Sequence, residues 1–252
     1  MKIDRAPSTR VAFVLMSLVL LPPLGGCRRH YAPDPAHDVD VIASDGAVLK
    51  GSYFSPGRAG PGILLLHQCN MDRHAWDTLT PELVSAGFHV LTIDQRGYGD
   101  TLGTNRSADQ VKAPADAGSA LAYLAAKQDV DKNRLAAGGA SCGVTYSAAL
   151  ASQHPEIKAL VLLSGWVDDK SKAYLRATPT VAVYGAAASR SSSDAADIRD
   201  AVDASRHPQS TVKILGGSSH GVAMFDTDAD LKPSIVKWLV ALLSTESPRT
   251  GR

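Results

Sequence analysis

The chain has 252 residues, 44% of them hydrophobic, with 26 Lys and Arg balanced by 25 Asp and Glu. That length and apolar content suffice for one large core, and α/β chains of this size commonly form one domain. A formal net charge of +1, with no basic block beyond Arg28 and Arg29, lacks the electrostatic footprint of a nucleic-acid binder, and without any metal-type Cys/His spacing no metal or other cofactor is expected.

The amino terminus reads as a separate object. Lys2, Arg5 and Arg10 lead into an apolar run at residues 11–21. About eleven apolar residues are too few for a membrane span, which needs about 20, but they suit the core of a secretion signal. The next residues, Leu24-Gly25-Gly26-Cys27, resemble the lipobox of bacterial lipoproteins. The resemblance implies a signal peptide at 1–26, lipidation and cleavage at Cys27, and a Pro- and Asp-rich tether at 27–37. Acyl chains contribute roughly 0.8 kcal/mol per buried methylene, so several of them anchor a protein without a transmembrane helix. Arg28, rather than an aspartate, follows the cysteine; by the same resemblance this places the protein on the outer membrane facing the periplasm if the cell is Gram-negative.

From residue 38 onward strand-like and helix-like segments alternate with short links, the pattern of an α/β domain spanning 38–252. Residues 39–43 and 48–54 predict an antiparallel pair around Ser44-Asp45-Gly46. The continuous apolar run at 62–66 predicts a buried parallel strand. A helix over 72–86, a strand over 89–93 and an Ala-rich helix over 114–127 follow. Residues 134–138 are apolar enough for another buried strand, and 144–154 permit a helix until Pro155. Strands are predicted at 158–163, 180–184 and 211–215, with helices at 194–204 and 231–243. Only about fifteen residues separate Ser164 from Thr180, leaving little room for a lid.

Between the strand at 134–138 and the helix at 144–154 stands Gly139-Ala140-Ser141-Cys142-Gly143. A serine on a sharp strand-to-helix turn presents its Oγ at the carboxyl edge of the sheet, and glycines are needed where Cβ atoms would collide. Ser141 is the candidate nucleophile. The same pattern recurs as Gly217-Ser218-Ser219-His220-Gly221, but no helix start follows it at the right spacing and no histidine lies beyond it. It supplies His220 as the candidate base.

Taken together these features resemble an α/β-hydrolase over about residues 39–243, and most closely the compact dienelactone-hydrolase-like members. Leu64-Leu65-Leu66-His67-Gln68 resembles the strand ending in His-Gly, Asp94-Gln95-Arg96-Gly97-Tyr98-Gly99 resembles the Asp-x-Arg-Gly-x-Gly turn, and Ser219-His220-Gly221 resembles the loop carrying the last catalytic residue. The fold implied is a mostly parallel central sheet with helices on both faces and little or no lid. The activity implied is hydrolysis of esters or related small acyl substrates through a Ser141 acyl-enzyme. The oxyanion hole implied uses the N–H of Cys142 and one from the Gln68-Cys69 turn, where Gln68 replaces the family's glycine. The position where the family keeps its acid reads Ala186-Ala187-Ala188-Ser189. Asp168 is one candidate in its place. Asp194 is a second, farther along, and reads first as a carboxylate at a helix start with Ser191 as cap. A chain with no acid would fit a non-catalytic binding module, and an acyltransferase would use the same residues. Cys69 and Cys142 form either a disulfide tying the oxyanion loop to the elbow or two small buried thiols. His67 reads as a loop support, and Trp166 as an acyl-pocket wall or a packing residue.

Overall fold

The computed structural model describes Met1, residues 36–103 and residues 105–243. The segment read as a signal peptide beyond Met1, the lipobox-like residues, Cys27 and the expected tether up to residue 35 lie outside the described residues.

The core is an eight-stranded sheet with the order β1-β2-β4-β3-β5-β6-β7-β8. Its strands are β1 (His37–Ile42), β2 (Val48–Phe54), β3 (Gly60–Leu66), β4 (His89–Ile93), β5 (Val130–Ala140), β6 (Ile157–Leu163), β7 (Ala182–Ala188) and β8 (Thr211–Leu215). The β1–β2 hairpin is antiparallel and adds to β4 antiparallel; every other pairing is parallel. In β3 the apolar run serves two faces. Leu64 and Leu66 join one buried cluster with Leu121 and Leu124, while Ile63 and Leu65 join another with Trp76, Leu83 and Leu239. Alternate side chains of a strand point to opposite faces, so an unbroken apolar run is what a sheet covered on both sides requires.

The covering helices are α1 (Thr80–Ser85), α2 (Arg106–Ala125), α3 (Cys142–Gln153), α4 (Asp169–Ala177), α5 (Ser192–Ala204), α6 (Met224–Thr227) and α7 (Leu231–Leu243), with 3₁₀ turns at Arg73–Trp76 and Gly221–Ala223. Four expectations change. Residues 72–86 break into a 3₁₀ turn and α1 instead of one helix. α2 begins at Arg106 rather than 114, so Pro114 sits inside it. α4 fills the link between β6 and β7. Most consequentially, β7 runs through Ala188 and all its residues are buried, because alanines fit a crowded strand covered on both sides.

Parallel register levels the strand ends: Leu66 pairs with Gly139, Ala140 with Leu163, and Leu163 with Ala186. The carboxyl ends of β3, β5, β6 and β7 therefore form one edge, the usual location of ligand sites in α/β sheets.

Candidate active site

Ser141 follows the last residue of β5 and precedes the first of α3, with φ 51° and ψ −117°. A positive φ is costly for a residue with a Cβ and persists only where surroundings impose it. Here the Ser141 N–H donates to the Leu163 carbonyl at 3.0 Å. The flanking glycines are steric necessities: a Cβ on Gly139 would overlap the Gly143 carbonyl, and one on Gly143 would overlap the Leu66 carbonyl. Ser219, in the second copy of the motif, has no positive φ, so that segment is not an elbow.

His220 stands just before the 3₁₀ turn Gly221–Ala223. Its Nδ1 donates to Asp194 Oδ2 at 2.8 Å, and the Ser191 hydroxyl donates to the same oxygen at 2.6 Å. The structure thus pairs His220 with Asp194 and not with Asp168, which is occupied as the N-cap of α4 and accepts the Ser171 N–H at 2.6 Å. Because β7 extends to Ala188, Asp194 follows it by a single tight turn into α5, close enough for its carboxylate to meet the loop after β8. Gly221 packs at Ala140, with a Cβ there falling 3.5 Å from the alanine's own. That contact brings the histidine loop against the residue preceding Ser141. Among the described residues neither Ser141 Oγ nor His220 Nε2 has a hydrogen-bond partner; bonds of this kind often form only in the substrate complex.

The candidate oxyanion loop follows β3. Cys69 is joined to Cys142 by a disulfide with Cα atoms 5.8 Å apart. The N–H groups of Cys69 and Cys142 have no protein acceptor among the described residues. Cys142 begins α3, where the first N–H groups are unpaired by construction. For Cys69 the reason lies in its neighbours. The Gln68 carbonyl accepts from Met71 N at 3.0 Å and from His67 Nδ1 at 2.8 Å. In a trans peptide the N–H points opposite to the C=O, so fixing that carbonyl aims the Cys69 N–H the other way.

His67 is a support, as its place at the strand end predicts. Its Nε2 accepts the Gln95 N–H at 3.0 Å, which requires the proton on Nδ1, and the Gln95 side chain donates to the His67 carbonyl at 2.7 Å. Burial lowers the His67 pKa below the ordinary histidine value, outweighing the bond to the Gln68 carbonyl that raises it. The Gln68 side chain performs a task no sequence pattern indicated: its Oε1 accepts the Val222 N–H at 3.2 Å, linking the oxyanion loop to the histidine loop. The residue that replaces the family's glycine is therefore a cross-site strut.

The Asp94–Gly99 turn braces the floor. Asp94 is fully buried, pairs with the Arg73 guanidinium, and accepts the Arg73 and Asp100 amides at 2.7 and 2.8 Å. Arg96 grips Asp116 through two 2.7 Å bonds and Asp45 through a third. Trp166 is 54% exposed, one residue beyond Gly165, whose Cα packs on the Ser141 carbonyl. An exposed indole at that place can line a substrate's path. Among the described residues no group of three or more His, Cys, Asp or Glu could hold a metal ion, and no helix is long and apolar enough to cross a membrane.

Comparison with known proteins agrees with this fold. The model of the family described as serine aminopeptidase, S33 matches residues 60–211, more than half of the chain. An alpha/beta hydrolase domain-containing protein of Arabidopsis thaliana is 28% identical over 155 residues, 58% of this chain and 49% of that protein. A haloalkane dehalogenase of Mycobacterium marinum is 38% identical over 78 residues, 31% of this chain and 26% of the enzyme. The chain thus spans half or less of the length of these curated relatives. Among solved structures, a Pyrococcus furiosus esterase aligns with TM-score 0.68 at 15% identity, over 83% of this chain and 91% of the esterase. A dienelactone hydrolase of Anabaena variabilis aligns with TM-score 0.67 at 17% identity, over 84% and 99% of the two chains. At such identities the structural likeness speaks for the fold alone. The family match, the sheet order and the elbow converge: this chain belongs to the serine aminopeptidase S33 family of α/β-hydrolases.

Proposed function

We propose that the chain is a serine hydrolase that cleaves esters or related small acyl compounds. The observation that carries the reading is the Asp194–His220 hydrogen bond of 2.8 Å in loops packed beside the strained Ser141. Asp194 holds the imidazole with its proton on Nδ1, so Nε2 is free to take the proton of Ser141 Oγ as it attacks the acyl carbon. The carbonyl oxygen becomes an oxyanion facing the N–H groups of Cys142 and Cys69. One such donor typically contributes about 3–4 kcal/mol to the transition state. The proton then passes from His220 to the departing alcohol, leaving an acyl-Ser141. Water, deprotonated by the same histidine, releases the acid and restores the serine. The hydrogen bond from His220 to Asp194 supports a complete triad over a non-catalytic binding module. Amides would be attacked by the same residues, as the family's aminopeptidase description implies, but an alcohol leaves more readily than an amine, and the esterase among the structural neighbours fits the same chemistry. The lipobox-like Cys27 supports placing this activity in the bacterial cell envelope, on a lipid anchor.

Pre-steady-state hydrolysis of p-nitrophenyl acetate tests the reading. The expected trace is a burst of about one nitrophenol per chain followed by slower turnover, with the acetyl group recovered on the peptide containing Ser141. A linear trace with no acetylated peptide would refute it.

A further inference from the structure

The oxyanion loop and the elbow are separate pieces of chain, and each contributes one donor. Residues 67–71 leave the end of β3, while Cys142 opens α3, and 73 positions separate the two cysteines. The loop is well secured on two sides. His67 and Gln95 hold it to the end of β4, and Gln68 Oε1 holds it to Val222 in the histidine loop. Neither tether reaches α3. On that side Cys142 Sγ lies 3.9 Å from the His67 carbonyl, but a sulfur in a disulfide has no proton to donate, and Gly143 only packs against the carbonyls of Leu66 and His67. The covalent connection on that side is the Cys69–Cys142 bond, made by the two residues whose own N–H groups stand unpaired at the site. Catalytic donors must be held within about 0.5 Å of the productive geometry, and a displacement of about 1 Å can cost about a hundredfold.

We propose that the Cys69–Cys142 disulfide positions the oxyanion hole and acts as its redox gate, so that the hydrolase works with the sulfurs joined and idles when a dithiol has reduced them. The inference rests on the serine-hydrolase reading above. Both cysteines are half-buried at the site, within reach of a small reductant. A thiolate of the dithiol attacks one sulfur, and its second thiol resolves the mixed disulfide. The reductant leaves as its own disulfide, and the two protons and two electrons it loses appear in the Cys69 and Cys142 thiols. The freed loop keeps its tethers to β4 and to Val222, so the fold remains while the spacing of the two donors loosens. A newly made chain in a reducing compartment would then be nearly silent, and exchange with a more oxidising disulfide after export, which takes up the two electrons and two protons of the Cys69 and Cys142 thiols, would switch it on.

The test uses the full chain purified without reductant, then divided into oxidised, dithiothreitol-reduced and reoxidised samples. Each is assayed for p-nitrophenyl ester turnover, fluorophosphonate labelling of Ser141, and near-UV and far-UV circular dichroism. Because the oxyanion forms only in the transition state, reduction should lower kcat about 10- to 100-fold with KM within about twofold, and reoxidation should restore it. The Cys69→Ser, Cys142→Ser double variant should match the reduced chain and ignore dithiothreitol. Equal kcat in oxidised and reduced samples would overturn the proposal, as would a double variant with wild-type kcat or a loss of activity that merely tracks loss of the native spectrum. An oxidised chain that fails to label at Ser141 would remove the serine-hydrolase reading, and this proposal with it.

Discussion

Asp194 and Asp168 are the residues on which the sequence and the geometry part. Both stand near the carboxyl edge of the sheet, and each sits at the start of a helix, α5 and α4 respectively. What separates them is where the carboxylate goes. Asp168 is consumed by the first turn of its own helix, whereas Asp194, 17% exposed, spends one oxygen on His220 and Ser191. Removing the orienting carboxylate leaves the nucleophile in place but frees the wrong imidazole tautomer. Asp194→Asn should therefore lower kcat by about 10³- to 10⁴-fold with little change in stability, while Asp168→Asn should leave kcat within about threefold and cost about 1 kcal/mol of helix capping. Steady-state kinetics and urea unfolding of the two variants distinguish these outcomes. The turn at Ser141 and the loop carrying His220 are readable in the sequence because both are local patterns. The pairing of His220 with Asp194 is not, because it depends on where β7 stops, and an alanine run carries no signal for that. The same holds for Gln68, whose partner Val222 lies 154 positions away.

Among the elements, the turn after β4 explains why a polar motif lies under the site. Asp94 is sealed from solvent, and the Arg73 side chain, 7% exposed, neutralises it while also bonding Ser52 Oγ at 3.1 Å and pairing with Asp100 at 2.8 Å. Taking one partner from a buried pair strands the other's charge, which costs more than the pair itself contributes. Arg73→Ala should destabilise the fold by about 3–5 kcal/mol, and the double change Arg73→Met, Asp94→Asn should recover a good part of that loss in chemical denaturation. Equal losses in both variants would contradict this reading of the turn. The strands of the sheet were legible to within a few residues, since apolar runs on a doubly covered sheet are distinctive. The helical segments were less so. Residues 72–86 contain Pro81, which restarts the helix at α1, and α4 is polar enough that a nine-residue helix leaves only Leu175 and Ser171 buried.

For the molecule as a whole, two buried histidines tie stability to pH. His67 accepts the Gln95 amide, and His89 lies between the Tyr53 hydroxyl at 2.7 Å and the Arg58 carbonyl at 3.0 Å. In both cases burial lowers the pKa below the ordinary value. The unfolded chain therefore takes up protons below about pH 6.5 that the folded chain refuses, so folding stability is full above that pH and falls as the solution is acidified through it. The urea midpoint should drop between about pH 7.5 and pH 5.5, and His67→Gln should flatten part of that slope.

The central claim is that Ser141, activated by His220 and Asp194, attacks acyl substrates. Its most direct test is covalent labelling of the oxidised chain by a fluorescent fluorophosphonate, run beside Ser141→Ala, His220→Ala and Asp194→Asn. The wild type should label strongly, the first two variants not at all, and the third at a rate reduced by orders of magnitude. A folded wild type that does not label, or an Asp194→Asn chain that labels at the wild-type rate, would contradict it.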